Sequence, residues 1–121
     1  MRDTRELIRL ESGGVLTVGA NKDRMSLPFN GEFVNASAAV SVASVTTNVV
    51  IDLLKNGVSI YTTVANRPRV VAGSVASAAA NLLRPDVFKF VPGDVLSLSI
   101  ISVGPVTAGS DLVVSVQFTP V

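Results

Sequence analysis

Polar and apolar positions alternate with a period of two over short stretches of this chain. Gly, Pro, Asn and Asp interrupt the alternation every ten or so residues. That pattern predicts short antiparallel strands. The strongest local signal lies in residues 52–63, Asp-Leu-Leu-Lys-Asn-Gly-Val-Ser-Ile-Tyr-Thr-Thr. Residues 49–55 and 58–64 read as two strands joined at Asn56-Gly57, a pair that tolerates the positive φ angles of a two-residue type I′ turn. This turn sets register, and so decides which faces Ile51, Leu53 and Ile60 present. Residues 95–103 read as a strongly apolar strand, with Val95, Ser97, Ser99 and Ile101 on one face and Leu96, Leu98 and Ile100 on the other. Residues 111–119 close the chain, with Leu112, Val114, Val116 and Phe118 alternating against Val113, Ser115 and Gln117.

The remaining elements follow from the same signals. Asn30-Gly31 is a second turn dipeptide, and residues 32–44 read as one long strand. Arg67-Pro68-Arg69 lies in a loop, where Pro68 biases Arg67 to extended geometry. Residues 74–83 read as a strand, with a helical turn as the competing assignment because of their alanines. Residues 87–90 form a short strand with both phenylalanines on one face, followed by a turn at Pro92-Gly93-Asp94. Residues 104–110 form a Gly/Pro loop. In residues 1–24, a short strand at 6–10 and a break at Gly13-Gly14 precede residues 15–18 and a polar turn at 19–23. The predicted fold is all-β, an antiparallel sandwich or barrel of about eight strands over residues 25–121. Residues 1–24 are either an arm outside it or its first edge hairpin.

Composition narrows the chemistry. The 121 residues suit one domain, and 48% apolar content is enough to fill one core. The chain holds no cysteine and no histidine. Disulfides, thiolate metal sites, cysteine nucleophiles and a Ser-His-Asp relay are therefore impossible. A Ser-Lys variant would have only Lys22, Lys55 and Lys89 to draw on. Net charge is +1, so no global field attracts nucleic acid or an acidic membrane surface. No apolar window reaches the length of a membrane span, and residues 1–6 lack the apolar stretch of a secretory signal.

The carboxylates Glu32, Asp52, Asp86, Asp94 and Asp111 show no spacing that selects an acid/base pair. Asp94 and Asp111 could converge at one end of a sandwich, although turn capping is the commoner role for such residues. Arg67 and Arg69 are candidate loop contacts to an anion. Tyr61 is the only tyrosine and there is no tryptophan, which weakens a sugar-binding reading. Residues 1–24 carry nine of the nineteen charged residues. The rest of the chain is accordingly sparse in charge and rich in Ser, Thr and Ala. It has either a plain Ser/Thr-rich surface or one covered by copies of itself or by a partner, because interface cores are depleted in charge.

Several motifs occur in an order that resembles the small jelly-roll modules of tailed-bacteriophage virions. They are Leu27-Pro-Phe-Asn-Gly31, then residues 50–61, Arg67-Pro68, residues 90–98, Val103-Gly104 and residues 108–114. The resemblance covers about residues 27–119, with residues 72–83 richer in alanine than the pattern and residues 1–24 outside it. It implies a jelly-roll type β-sandwich whose fold-defining turns are Asn56, Gly57, Pro92, Gly93 and Asp94, with no catalytic residue and no cofactor. It also implies a capsid decoration (cement) protein at the virion surface, made in the host cytoplasm. Its partners would be the major capsid protein and copies of itself, a trimer by analogy, without nucleic acid or membrane. Arg2, Arg5, Arg9 and Arg24 are the candidate capsid contacts of the arm. A receptor-binding or fibre-tip module for host polysaccharide, and a tail or neck component, are the alternatives.

Overall fold

A computed structural model describes residues 6–78, 84–105 and 107–121 of the chain. Among these the protein is all-β and antiparallel, with nine strands and one single-turn 3-10 helix. The strands are β1 (Glu6–Val15), β2 (Gly19–Ser26), β3 (Gly31–Ala39), β4 (Val49–Lys55), β5 (Val58–Ser59), β6 (Arg69–Val70), β7 (Lys89–Phe90), β8 (Val95–Ser102) and β9 (Ser110–Pro120). One sheet has the order β1-β9-β3-β7, the other β2-β8-β4-β5, with β6 also paired to β4.

The alternation predicted for the two most regular strands is what the core uses. Leu112, Val114, Val116 and Phe118 of β9 point inward with Ile8, Leu10 and Phe33 of their own sheet. Leu96, Leu98 and Ile100 of β8 face them with Ile51 and Leu53 of β4. All belong to one continuous cluster. Near the start of β3, Phe29, Phe33, Phe90 and Phe118 pack ring on ring, with the Phe33–Phe90 centroids 4.6 Å apart. This places four of the five phenylalanines at one end of the sandwich.

Residues 6–24 are built into both sheets. β1 pairs with β9, whereas β2 pairs with β8 across the core. An arm outside the sandwich therefore does not describe residues 6–24, and the two strands do not form a hairpin with each other. Buried Leu16 anchors the short crossing between them, and its N–H donates to the Gly109 carbonyl. Apolar spacing at Ile8, Leu10 and Leu16 is what admits the segment to the core, its charges pointing outward.

Three other expectations change. The long strand ends at Ala39, because the chain then bends to bridge Val42 to Ser110. The strand after the Asn56-Gly57 turn lasts only two residues. The Ser59 hydroxyl bonds Asp52 and accepts the Tyr61 N–H, which draws the chain off the ladder. Asn30-Gly31 is not a turn: Gly31 opens β3 against the Phe90 ring, where a Cβ would lie 2.4 Å from the ring edge. Within residues 74–78, Ala76 bridges Ala39 and Ser77 bonds Ala38, while the rest of the predicted strand lies outside the described residues.

Candidate functional site

The two turns singled out from sequence meet at the phenylalanine end. Asn56 (φ 53°) and Gly57 (φ 82°) form the expected type I′ turn. Pro92-Gly93 forms a type II turn, with Gly93 at φ 93° and the Asp94 N–H donating to the Val91 carbonyl. Asn56 ties the two together. Its Oδ1 accepts the Val95 N–H at 2.9 Å, its Nδ2 donates to Asp94 Oδ1 at 2.9 Å, and its own N–H donates to the Val95 carbonyl. Asp94 also accepts the Val91 N–H, and this bond, with that from Asn56, holds its carboxyl below the usual aspartate range. Asp86 is held low chiefly by the Thr63 N–H, and Asp111 chiefly by the Gly14 N–H, followed by Thr62 and Ser41 hydroxyls respectively. These three carboxylates cap turns; Asp94 and Asp111 lie at opposite ends of the sandwich.

The candidate arginines are dispersed. Arg9 pairs with Glu11 of its own strand at 2.7 Å, and Arg24 is exposed on β2. Arg2 and Arg5 lie outside the described residues. Arg67 and Arg69 are not free loop contacts. Arg67 sits 3.5 Å from Asp52, with side chains only 19% and 6% exposed, and Arg69 donates to the Ala65 carbonyl. Both are held by the fold. Arg84, not singled out from sequence, pairs with Glu32 at 3.3 Å and stacks over the Phe88 ring at 3.9 Å.

The Asp52–Arg67 pair belongs to a small polar centre under the second sheet. Ser59 donates to Asp52 Oδ1 at 2.7 Å. Tyr61 is buried, with no hydrogen-bond partner for its hydroxyl among the described residues. Burial, then the charges of Asp52 and Asp86, push the Tyr61 phenol well above its ordinary range. Beside this centre a shallow groove of about 360 Å³ runs along β8, lined by Val18, Ala20, Asp52, Leu54, Ser99 and Ile101 among others.

The opposite end of the sandwich is built differently. Residues 33–51, 70–83 and 95–110 contain no charged side chain. The fold brings parts of all three runs together as loops at the far end of β3. Val40 N–H donates to the Val75 carbonyl, Gly73 N–H to Ser44, Val45 N–H to Thr107, and Ser110 N–H to Val42. The Ser44 hydroxyl, fully buried, donates to the Thr47 carbonyl, and Asn48 Oδ1 accepts the Ala72 N–H. These bonds satisfy the loop backbone and leave side chains facing out. Val42, Val45, Val71 and Val75 are 45–53% exposed there. Thr46, beside Val45, is held at φ 77°, a left-handed conformation that β-branched residues rarely adopt. Such strain persists only where surrounding structure enforces it, and it is concentrated at functional sites. The sequence carries a signal for this end, the three uncharged runs, but not their convergence.

No protein-family model matches the chain, and no curated protein matches it.

Proposed function

We propose that this protein is a non-enzymatic structural virion component that binds an assembled phage capsid as a decoration protein, its uncharged end docking on the shell. The observation that carries the reading is the convergence of three uncharged loops presenting Val42, Val45, Val71 and Val75 on a hydrogen-bonded frame. Charge-depleted, apolar and rigid is the composition of an interface core. The sheet order supports the jelly-roll reading, because two facing antiparallel sheets, here of four and five strands, linked by repeated crossings are the plan of that fold.

The energetics suit a lattice. Full burial of a valine side chain is worth about 1.5 kcal/mol, so covering the exposed halves of four gives about 3 kcal/mol per copy. That is weak alone and becomes effective when many copies act on a repeating surface. A protein that binds only the assembled shell stabilises it by mass action.

Purified protein mixed with undecorated shells of the cognate major capsid protein should sediment with them and raise their heat resistance. A Val42→Asp/Val75→Asp variant should fold, by circular dichroism, and fail to sediment. Absence of wild-type co-sedimentation, or full binding by the variant, would defeat the proposal.

A second reading, recognition of host polysaccharide, is favoured by the groove in which Ser99 and Asp52 offer hydrogen-bonding groups. Specific signals on a glycan array, abolished by Ser99→Leu, would favour it over shell docking.

A further inference from the structure

The long edge of the first sheet presents a short, self-complementary set of backbone groups. In β1 the even-numbered residues turn their backbone groups toward β9 and the odd-numbered ones turn theirs away, as alternation in an antiparallel pair requires. The Glu11 N–H shows the outward direction, donating at 2.8 Å not to β9 but to Asp23 Oδ2 of β2. Asp23 is itself fixed, because its Oδ1 accepts the Arg24 N–H. The outward N–H and C=O groups of Leu7 and Arg9 have no partner among the described residues. Both residues are exposed, Leu7 to 67%.

We infer that this edge joins two copies of the chain through antiparallel β1–β1 pairing, with Leu7 of each opposite Arg9 of the other and the two-fold axis at Ile8. A second copy is the occupant that fits. Leu7 and Arg9 of each copy together offer two outward N–H and two outward C=O groups, and antiparallel alignment of Leu7 with Arg9 matches these in four hydrogen bonds. The Asp23 carboxylate occupies the edge at Glu11 and stops the ladder from extending, which selects this register over longer overlaps. Registers that set Arg9 opposite Arg9 would place like charges face to face. In the chosen register Arg9 keeps its own Glu11 partner and lays its aliphatic stem against Leu7. The contact is well below the area of a standard stable interface, so it gives a weak dimer that fills only at high local concentration. The inference does not depend on shell docking, which uses the loops at the end of the sandwich.

Sedimentation of the full chain over a concentration series tests it. Expected is a monomer–dimer equilibrium with a dissociation constant on the order of 0.1–1 mM. Arg9→Pro removes an N–H that the β9 ladder does not use, so the variant should remain folded and dimerise at least tenfold more weakly. Because the chain has no cysteine, register can be read directly. A mixture of Leu7→Cys and Arg9→Cys proteins should oxidise to a mixed dimer faster than either protein alone, since directly opposed hydrogen-bonded residues lie within disulfide range. A wild-type chain that stays monomeric throughout the series, an Arg9→Pro variant that dimerises like wild type, or cross-linking without preference for the mixed pair would overturn the inference. Each of these could occur with shell binding intact.

Discussion

Replacing Asn56 by alanine separates the two things this side chain does. Asn56 sits at φ 53° in the type I′ turn and bridges that turn to the start of β8. Alanine in the left-handed region costs about 1 kcal/mol relative to a residue that adopts it readily. Losing acceptance of the Val95 N–H costs about 1 kcal/mol. Losing the donation to exposed Asp94 costs less, about 0.5 kcal/mol, because solvent screens it. Asn56→Ala should therefore lower unfolding free energy by about 2.5 kcal/mol, the sum of these. Asn56→Gly keeps the conformation and loses both bonds, so it should cost about 1.5 kcal/mol. The pair is best compared by urea denaturation, with midpoints interpreted at constant slope. Adding Asp94→Ala completes a double-mutant cycle, in which a coupling of a few tenths of a kcal/mol is expected. If Asn56→Ala and Asn56→Gly were equally stable, the conformational part of the reasoning would be wrong. If both matched wild type, the bridge would contribute nothing and register would be set elsewhere.

Gly31→Ala should cost about 1–3 kcal/mol through overpacking, because its Cβ would meet the Phe90 ring at 2.4 Å; a Tm unchanged by scanning calorimetry would contradict the close approach. Arg67→Met leaves the buried Asp52 carboxylate with Ser59 alone and should cost about 2–3 kcal/mol, with Asp52→Asn/Arg67→Met recovering part of the loss in chemical denaturation. The depressed carboxyls of Asp86, Asp94 and Asp111 contribute stability that is complete above the unfolded value, near 4, and is lost as pH falls through their folded values. Tm should thus hold from neutrality to about pH 4.5 and fall below pH 4, with Asp111→Asn flattening the acid limb. The raised phenol of Tyr61 works the other way: its contribution is complete below the ordinary tyrosine value, near 10, and is lost as pH rises. With one tyrosine and no tryptophan, tyrosinate absorbance should appear only together with unfolding, and ionisation near pH 10 in a native circular-dichroism spectrum would disprove the burial argument.

The parts of the fold legible in sequence were those where local chemistry and tertiary role coincide. Asn56-Gly57 is a turn on either ground, and β8 and β9 alternate because one face is core. Where a side chain's role depends on a partner that local sequence pattern does not specify, the reading failed. The glycine of Asn30-Gly31 looked like turn chemistry, yet it is there for the ring of Phe90. Ser59 looked like an ordinary strand residue until Asp52 supplied a competing acceptor. Arg67 and Arg69 looked available because flanking Pro68 marked a loop, and pairing with Asp52 and Ala65 became visible only in three dimensions. The charge imbalance along the chain was legible, but its spatial meaning was not. Sparse charge in three separate runs becomes a surface only when loops after β3, β6 and β8 converge.

The strand order has a consequence for how the protein is made. β9, the latest in chain order of the described strands, is not an edge strand but lies between β1 and β3. Until residues 110–120 emerge from the ribosome, those two strands have no common neighbour, and the inward faces of Ile8, Leu10 and Phe33 have no completed sheet. Pairing of Glu6 with Phe118 joins residues more than a hundred positions apart, the kind of long-range contact that slows folding. Nascent copies growing side by side on one message would each expose two unpaired strands, an invitation to exchange β9 between neighbours. A stop codon just before Ser110 would remove the middle of a sheet, and the released fragment should aggregate rather than fold.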